Sequence, residues 1–319
     1  MRNIASLAVV GVAAAALLVP LGSASAGIVR SGGVQIRDLN VARPVSLGRV
    51  YAPTISYYQS HYALRGALCC HMTYGNGPVL LKPHMYLILW GYQKAGDPDG
   101  VQALLMKYAQ DYGGSKYGNI ATQYYMVSGG KMMFPTNPKS NGVVWADNTN
   151  AIPAHPTDAQ IQAEAWAAIK QFAKNVSDPN GVYIVNSAYK HDPQGFVSSG
   201  WCAYHGVSTT GSATIAYANE PYMPDGDGDC GANIITAPSD EPGVDEGETI
   251  LAGHEFNEAQ TDPQPFTGWD SAKGGEVGDV CAWTNILNDH LLNGGVYTQQ
   301  PIWSNKTNTC IHSLKKPVK

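Results

Sequence analysis

Charged side chains are scarce in this chain. Asp, Glu, Lys and Arg make up only 14% of its 319 residues, and the formal net charge is −5. Because affinity for nucleic acid depends on an excess of Lys and Arg, this composition argues against a nucleic-acid partner. The basic segment 315–319 is interpreted as a solvated tail rather than a binding patch.

Long apolar runs are also scarce. One spans residues 5–21, after Arg2, and Ala24-Ser25-Ala26 follows it. A short apolar run between a basic residue and an A-x-A site is typical of a secretory signal peptide. Residues 1–26 are therefore predicted to be a cleaved signal peptide, the alternative being an uncleaved anchor. Since no other apolar run is long enough to span a bilayer, we expect a secreted, extracellular protein with no membrane partner after cleavage.

The rest of the chain has no internal repeat. Residues 27–65 are mixed in composition and are interpreted as an N-terminal arm or propeptide-like segment. Residues 66–319 are numerous enough to bury a sizeable core. They are predicted to form a single domain of two lobes.

Cysteine occurs six times, and no C-x-x-C pair indicates a thiolate zinc site. An even number of cysteines in an exported chain is typical of disulfides. We predict the pairs Cys202–Cys230 and Cys281–Cys310, because each closes a loop of modest length. Cys69 and Cys70 are adjacent and are expected to bond to different partners.

Hydrophobic patterning predicts an α+β chain. Apolar runs bounded by turn residues indicate strands at 86–90, 182–185 and 214–218. Apolar residues at helical spacing predict helices over 98–112, 120–125 and 157–176. The segment 129–150 is expected to be mostly loop.

The most informative stretch is His254-Glu255-Phe256-Asn257-Glu258, which reads H-E-x-x-E. It lies in a helix predicted over 248–262. Residues four apart share one face of a helix, so His254 and Glu258 are placed to bind one metal ion. Glu255 points about 100° away, where it can act as general base on water as the Glu of H-E-x-x-H does. The alternative interpretation is a solvated helix face.

A third protein ligand from outside the helix is needed if one coordination position is to stay open for water. Glu276 and Asp279 lie in a glycine-rich segment after the helix and are the two candidates. Asp262 shares the helix face of His254 and is interpreted as a cap or as a partner that orients a ligand. One imidazole and two carboxylates lower the pKa of zinc-bound water less than two imidazoles and one carboxylate do. A slower hydrolase, another metal and a structural metal therefore stay open.

Residues 254–283 resemble a group of secreted bacterial proteins related to the plant phosphate-induced (EXORDIUM-like) family. The matching pieces are H-E-x-x-E-A-x-T-D-P from His254 and E-x-G-D-x-C-A-W from Glu276. Shorter matches extend over 66–285. The resemblance implies a zincin-like metallopeptidase fold, with a mixed sheet and an active-site helix, over the single domain 66–319. In that fold an edge strand binds extended substrate by strand addition, and 214–218 is the candidate here.

These observations predict a secreted zinc-dependent peptidase acting on a peptide or protein substrate. His254, Glu258 and Glu276 bind zinc, and Asp279 is the alternative third ligand. Glu255 polarises the attacking water and later protonates the leaving amine. Neither cleavage specificity nor oligomeric state follows from the sequence.

Two residues of the segment 201–205 are further catalytic candidates. His205 or Tyr204 is expected to stabilise the oxyanion. The alternative for His205 is a structural role in a hydrogen bond.

A calcium site is predicted at Asp225, Asp227 and Asp229, which alternate with glycines. Closely spaced carboxylates on a flexible turn suit Ca²⁺. The run is not an EF-hand, because Cys230 stands where that loop needs glycine. A solvated turn is the alternative.

Two other functions stay open. One is a non-catalytic secreted or cell-surface binding protein of EXORDIUM-like type with a structural metal. The other is a glycoside hydrolase that uses Glu255 or Glu258 together with Glu276. An open coordination position in a cleft would favour the peptidase, and a closed site would favour the binding protein.

Overall fold

The computed structural model describes residues 29–31, 34–36, 48–61, 71–139, 142–173, 176–235, 239–272 and 274–318. The predicted signal peptide lies outside the described residues, as do Cys69 and Cys70. Within the described part of the chain, no helix is both long enough and apolar enough to cross a membrane.

The described chain is an α+β fold. In chain order its strands are β1 Val29–Ser31, β2 Val34–Ile36, β3 Arg49–Pro53, β4 Met72–Tyr74, β5 His84–Trp90, β6 Met126–Ser128, β7 Lys131–Met133, β8 Gly142–Asp147, β9 Gly181–Ser187, β10 Trp201–Thr210, β11 Ala213–Glu220, β12 Trp269–Ser271, β13 Leu287–His290, β14 Val296–Gln299, β15 Ile302–Ser304 and β16 Thr309–Ile311. The α-helices are α1 Ile55–His61, α2 Tyr92–Ala95, α3 Val101–Tyr112, α4 Asp158–Ala173 and α5 Glu246–Thr261. Short 3₁₀ helices span Ile120–Gln123, Met223–Cys230, Gly243–Asp245, Asp279–Cys281 and Leu292–Gly294.

A six-stranded mixed sheet forms the centre of the fold, in the order β3-β10-β11-β9-β5-β8. Strands β11, β9, β5 and β8 are parallel to one another. Strand β10 runs antiparallel to both of its neighbours, β3 and β11. The mixed sheet that the sequence predicts is therefore confirmed.

Strand β11 is an interior strand. It contains residues 214–218 and is paired with β10 on one side and β9 on the other. Both of its edges are thus already used, so the prediction that 214–218 form a free edge strand for substrate is wrong. The cause is β10, a ten-residue strand that the apolar pattern did not reveal and that folds against β11 as a hairpin.

Helices cover both faces of the sheet. On β5, Leu87 and Leu89 pack in the same cluster as Leu105 of α3. The alternate residues, Ile88 and Trp90, pack with α4 on the other face. Alternation of side chains along a strand thus places α3 and α4 on opposite faces. Helix α5 lies on the α3 side, against β10 and β11.

Helix α5 is buried along its whole length. Gly253 makes this possible, since a Cβ there would lie only 2.9 Å from the Tyr108 hydroxyl and closer still to Gln299. Glycine inside a helix costs about 1 kcal/mol relative to alanine. The close packing of Tyr108 and Gln299 against the helix backbone offsets that cost.

The segment predicted as an N-terminal arm contributes to the sheet. Strand β3 pairs antiparallel with β10, and its residues Val50, Tyr51 and Ala52 are buried. The Trp283 ring N–H donates a 2.7 Å hydrogen bond to the Pro53 carbonyl. Residues 49–53 therefore belong to the folded domain.

Both predicted disulfides are confirmed. Cys202–Cys230 joins β10 to the 3₁₀ helix Met223–Cys230, and Cys281–Cys310 joins the 3₁₀ helix Asp279–Cys281 to β16. The second bridge fixes the segment that carries Asp279.

Candidate metal centre

His254 lies inside α5 with only 1% of its surface exposed. Its Nε2 atom is 3.2 Å from Glu258 Oε1 and 3.6 Å from Asp279 Oδ1, yet Nε2 makes no hydrogen bond. Around a tetrahedral zinc ion with bonds of about 2.0–2.1 Å, neighbouring ligand atoms lie about 3.3 Å apart. The three side chains are therefore spaced as ligands around one small metal ion.

Helix geometry and two backbone hydrogen bonds build this group. His254 and Glu258 are four residues apart and share a helix face. The backbone N–H groups of Gly278 and Asp279 donate to Glu258 Oε1 at 3.1 and 2.8 Å. These bonds draw the start of the 3₁₀ helix onto α5 and so place Asp279 beside His254.

Gly278 is required by this close approach. A Cβ at position 278 would lie 2.9 Å from Glu258 Oε1 and 3.0 Å from the His254 ring. Side-chain carbon atoms are not normally found that close to other atoms, so any larger residue would push the loop away from the two ligand candidates.

A second group shares Glu258 with the first. His205 reaches α5 from β10, and its Nδ1 lies 3.1 Å from Glu255 Oε2, in a hydrogen bond, and 3.6 Å from Glu258 Oε2. All three side chains are fully buried, and their ligand atoms lie within 4.8 Å of one another. His205 was predicted as a stabiliser of the oxyanion, but the structure places it against the carboxylates of α5.

A third group contains carboxylates only. Asp262, Asp270 and Glu276 are fully buried, and each offers an oxygen within 4.8 Å of the others. Glu276 Oε2 is also 3.5 Å from His205 Nε2. The three groups therefore adjoin one another.

The predicted third ligand, Glu276, is not in the group of His254 and Glu258. Asp279, the predicted alternative, is. The physical reason is the pair of backbone hydrogen bonds to Glu258, which fixes Asp279 at the helix. Glu276 instead turns toward Asp262 and Asp270.

Tyr204 does not reach the site. Successive side chains of a strand point to opposite faces, so Tyr204 faces away from its neighbour His205. Its hydroxyl donates a 2.9 Å hydrogen bond to Asp158 Oδ1 at the start of α4. Tyr204, predicted with His205 as a stabiliser of the oxyanion, therefore lies on the face of β10 away from α5.

The calcium site predicted at Asp225, Asp227 and Asp229 does not form either. Their oxygens are not among the metal-sized groups of the described residues. Asp225 accepts a hydrogen bond from the Lys190 backbone N–H, and Asp229 accepts one from the Ser56 hydroxyl. The side chains of Asp225 and Asp229 thus bond to separate partners.

The cluster contains more buried acids than buried bases. Two imidazoles, those of His205 and His254, face a larger set of carboxyl groups, namely Glu220, Glu255, Glu258, Asp262, Asp270, Glu276 and Asp279. Among the described residues no lysine or arginine is buried. Burying unpaired charge is costly, so the cluster either holds its acids protonated or binds a cation.

Burial is the largest single influence on the pKa values of these groups. It raises the pKa of Glu258 to about 7, with a further contribution from Asp279, and it raises the pKa of Glu255 well above its ordinary value. Burial alone would lower the pKa of His254, but Glu258 and Asp279 outweigh it and raise that pKa. The pKa of His205 falls to about 3, through burial and then through His254.

Glu220 is a member of the cluster that the sequence did not reveal. It ends β11, and neither carboxylate oxygen makes a hydrogen bond. Burial raises its pKa to about 8. The alternation of side chains between the two faces of the hairpin could have identified Glu220. Ala218 pairs with His205, so Glu220, two residues on, shares its face.

Comparisons with protein-family models, with curated proteins and with solved structures found no match to this chain. The resemblance of 254–283 to EXORDIUM-like proteins therefore stays a prediction. Evidence about function comes from the side chains of the buried cluster. Their spacing and charge suit a metal ion, and they do not identify which metal.

Proposed function

We propose that the protein is a secreted zinc-dependent peptidase with a zincin-like fold. His254, Glu258 and Asp279 are the metal ligands, and Glu255 is the general base. The observation that carries the proposal is the position of two carboxylate oxygens, Glu258 Oε1 at 3.2 Å and Asp279 Oδ1 at 3.6 Å from His254 Nε2, an atom without a hydrogen bond. A bound zinc ion would supply Lewis-acid polarisation of the scissile carbonyl and of water.

Glu255 has the environment of a proton carrier. Its Oε2 is held by His205, whereas its Oε1 has no hydrogen-bond partner and is free to accept a proton from the attacking water. Burial raises its pKa, which makes its carboxylate a stronger base toward the attacking water. The same oxygen can then return the proton to the leaving amine.

His205 positions Glu255 in this scheme. With a pKa of about 3, the imidazole is neutral near pH 7. A neutral ring that carries its proton on Nδ1 donates to Glu255 Oε2 and fixes the carboxylate without neutralising it. We therefore assign His205 to orientation of the base.

Access to the site lies on the side of Asp279. This residue is 8% exposed, whereas Glu255 and Glu258 are fully buried. Water and a peptide are expected to approach along the loop 276–279.

Secretion is supported by the predicted signal peptide and by the two disulfides, which are typical of oxidising compartments.

A non-catalytic binding protein with a structural metal is the second candidate. The burial of His254 and Glu258 favours it, because a catalytic metal needs an open position.

Hydrolysis of a fluorogenic peptide library, measured together with zinc content, tests the peptidase against the binding protein. We expect Glu255→Gln to keep zinc but to lose about 10²–10⁴-fold in activity, and His254→Ala to lose both. A zinc-loaded wild-type protein that cleaves no peptide would favour the binding protein instead.

A further inference from the structure

We infer that the protein has a second cation site, formed by Asp262, Asp270 and Glu276 and suited to a hard divalent cation such as calcium. None of these residues is a zinc ligand in the function proposed above, so the inference stands independently of the peptidase assignment.

Three separate elements converge to form this site. Asp262 caps the C-terminus of α5, Asp270 lies in β12, and Glu276 precedes the 3₁₀ helix Asp279–Cys281. All three are fully buried. Their nearest oxygens lie within 4.8 Å of one another, and oxygens on opposite sides of a calcium ion with bonds of 2.3–2.6 Å lie about 5 Å apart.

The environment of the Glu276 carboxylate indicates a bound ligand. Neither of its carboxylate oxygens makes a hydrogen bond, although both are buried. Native proteins rarely leave buried polar atoms without a partner. A cation between the three carboxylates would satisfy both oxygens of Glu276.

Asp262 is pre-oriented toward the same point. Its carboxylate accepts hydrogen bonds from the backbone N–H groups of Thr267 and Gly268, at 3.1 and 2.7 Å. These bonds fold the turn after α5 and hold the side chain in one position. They use only part of the acceptor capacity of a carboxylate, which has about four lone-pair sites.

The ligand chemistry distinguishes this site from the one at His254. The group contains oxygen donors only, and such donors favour Ca²⁺, Mg²⁺ or Mn²⁺ over zinc. His205 is a basic neighbour of the group, and its Nε2 lies 3.5 Å from Glu276 Oε2. A cation bound by these oxygens would offset the cost of burying ionised carboxylates.

Terbium luminescence provides a direct test, because Tb³⁺ replaces calcium and is sensitised by a nearby tryptophan. Trp269 immediately precedes Asp270. The full-length secreted protein is analysed for calcium, magnesium and manganese as purified, then treated with chelator and titrated with Tb³⁺. We expect one sensitised ion per chain, displaced by Ca²⁺. The signal should fall at least tenfold in Asp270→Asn and Glu276→Gln.

Two control variants locate the ion. His254→Ala should keep the terbium signal, and so should Asp225→Asn in the partly buried acidic turn 225–229. Loss of the signal in either control would contradict the assignment. It would also be overturned if the purified wild-type protein contained none of the three metals and its folded, chelator-treated form bound neither Tb³⁺ nor Ca²⁺. That wild-type result does not depend on whether the variants fold, and it leaves the zinc site untouched.

Discussion

Glu258 connects the two histidines of the cluster. Its Oε1 lies 3.2 Å from His254 Nε2, and its Oε2 lies 3.6 Å from His205 Nδ1. Oε1 also accepts the backbone N–H groups of Gly278 and Asp279. One carboxylate therefore lies between α5, β10 and the loop that carries Asp279. A change in any of these elements should alter the geometry of the proposed metal site.

Asp279 and Glu276 should behave differently when their charge is removed. Asp279→Asn should weaken zinc binding by at least tenfold, because Asp279 lies beside His254 Nε2. Glu276→Gln should change zinc affinity much less, because Glu276 lies in the group of Asp262 and Asp270. Competition with a chromogenic zinc chelator measures both affinities. The reverse order would restore Glu276 as the third ligand.

Gly278→Ala should damage the site without removing a ligand. The new Cβ would lie 2.9 Å from Glu258 Oε1, so the loop must shift. We expect a loss of about 1–3 kcal/mol in the free energy of unfolding and a loss of about 10- to 100-fold in zinc affinity. Gly228→Ala is the matched control, since no atom lies within 4 Å of the Cβ position there. Equal zinc affinity in the two variants would argue against the close approach.

The metal-free protein should lose stability as the pH rises. Burial raises the pKa of Glu220 to about 8 in the folded state. In the unfolded chain the pKa of a glutamate is about 4.3. Folding therefore favours the protonated acid. Its contribution is fully present below the unfolded pKa and is lost as the pH passes through the folded pKa.

Glu220→Gln tests this pH dependence. Urea unfolding of chelator-treated protein, measured between about pH 5 and pH 9, should give a stability that declines with pH in the wild type. The decline should be shallower in Glu220→Gln, which cannot ionise. Wild-type stability that increases over this range would contradict the assignment of Glu220 as a buried, protonated acid.

The two disulfides should have similar effects on stability and different effects on zinc. Their sequence separations are 28 and 29 residues, so replacing either pair with alanine should cost about 3 kcal/mol by loop entropy. Only the Cys281–Cys310 bridge is attached to the 3₁₀ helix Asp279–Cys281, which carries Asp279. Zinc affinity should therefore fall in the variant that lacks this bridge. Equal zinc affinities would show that the bridge does not position Asp279.

Elements with strong local signals were predictable from the sequence. Helix α5 spans Glu246–Thr261 against a prediction of 248–262, and α3 spans Val101–Tyr112 against 98–112. Strands β5 and β9 agree with the apolar runs at 86–90 and 182–185. For α3, β5 and β9 the hydrophobic pattern is set by burial of the element itself, whereas α5 was predicted from the H-E-x-x-E segment.

Edge strand β8 and strand β10 were not predicted. Strand β8 contains only the short apolar run 143–146 and much of it is partly exposed. It falls in 129–150, which was expected to be loop. Strand β10 mixes aromatic residues with Cys202, His205 and Gly206. Its pairing with β3, which is distant in sequence, depends on the tertiary fold.

Within the site, sequence predicted the helix residues better than their partners. The relation of His254, Glu255 and Glu258 follows from helix geometry alone. The choice of Asp279 over Glu276 depends on hydrogen bonds to Glu258 that form only after the loop packs on α5. Likewise, the choice of His205 over Tyr204 depends on which face of β10 meets α5.

Metal content tests the central claim, that His254, Glu258 and Asp279 bind one metal ion. Purified secreted protein and His254→Ala, both shown to be folded, would be analysed by elemental mass spectrometry after exposure to zinc at neutral pH. The structure predicts near-stoichiometric zinc in the wild type and its loss in the variant. Wild-type protein without zinc, or a variant that keeps all of it, would contradict the claim.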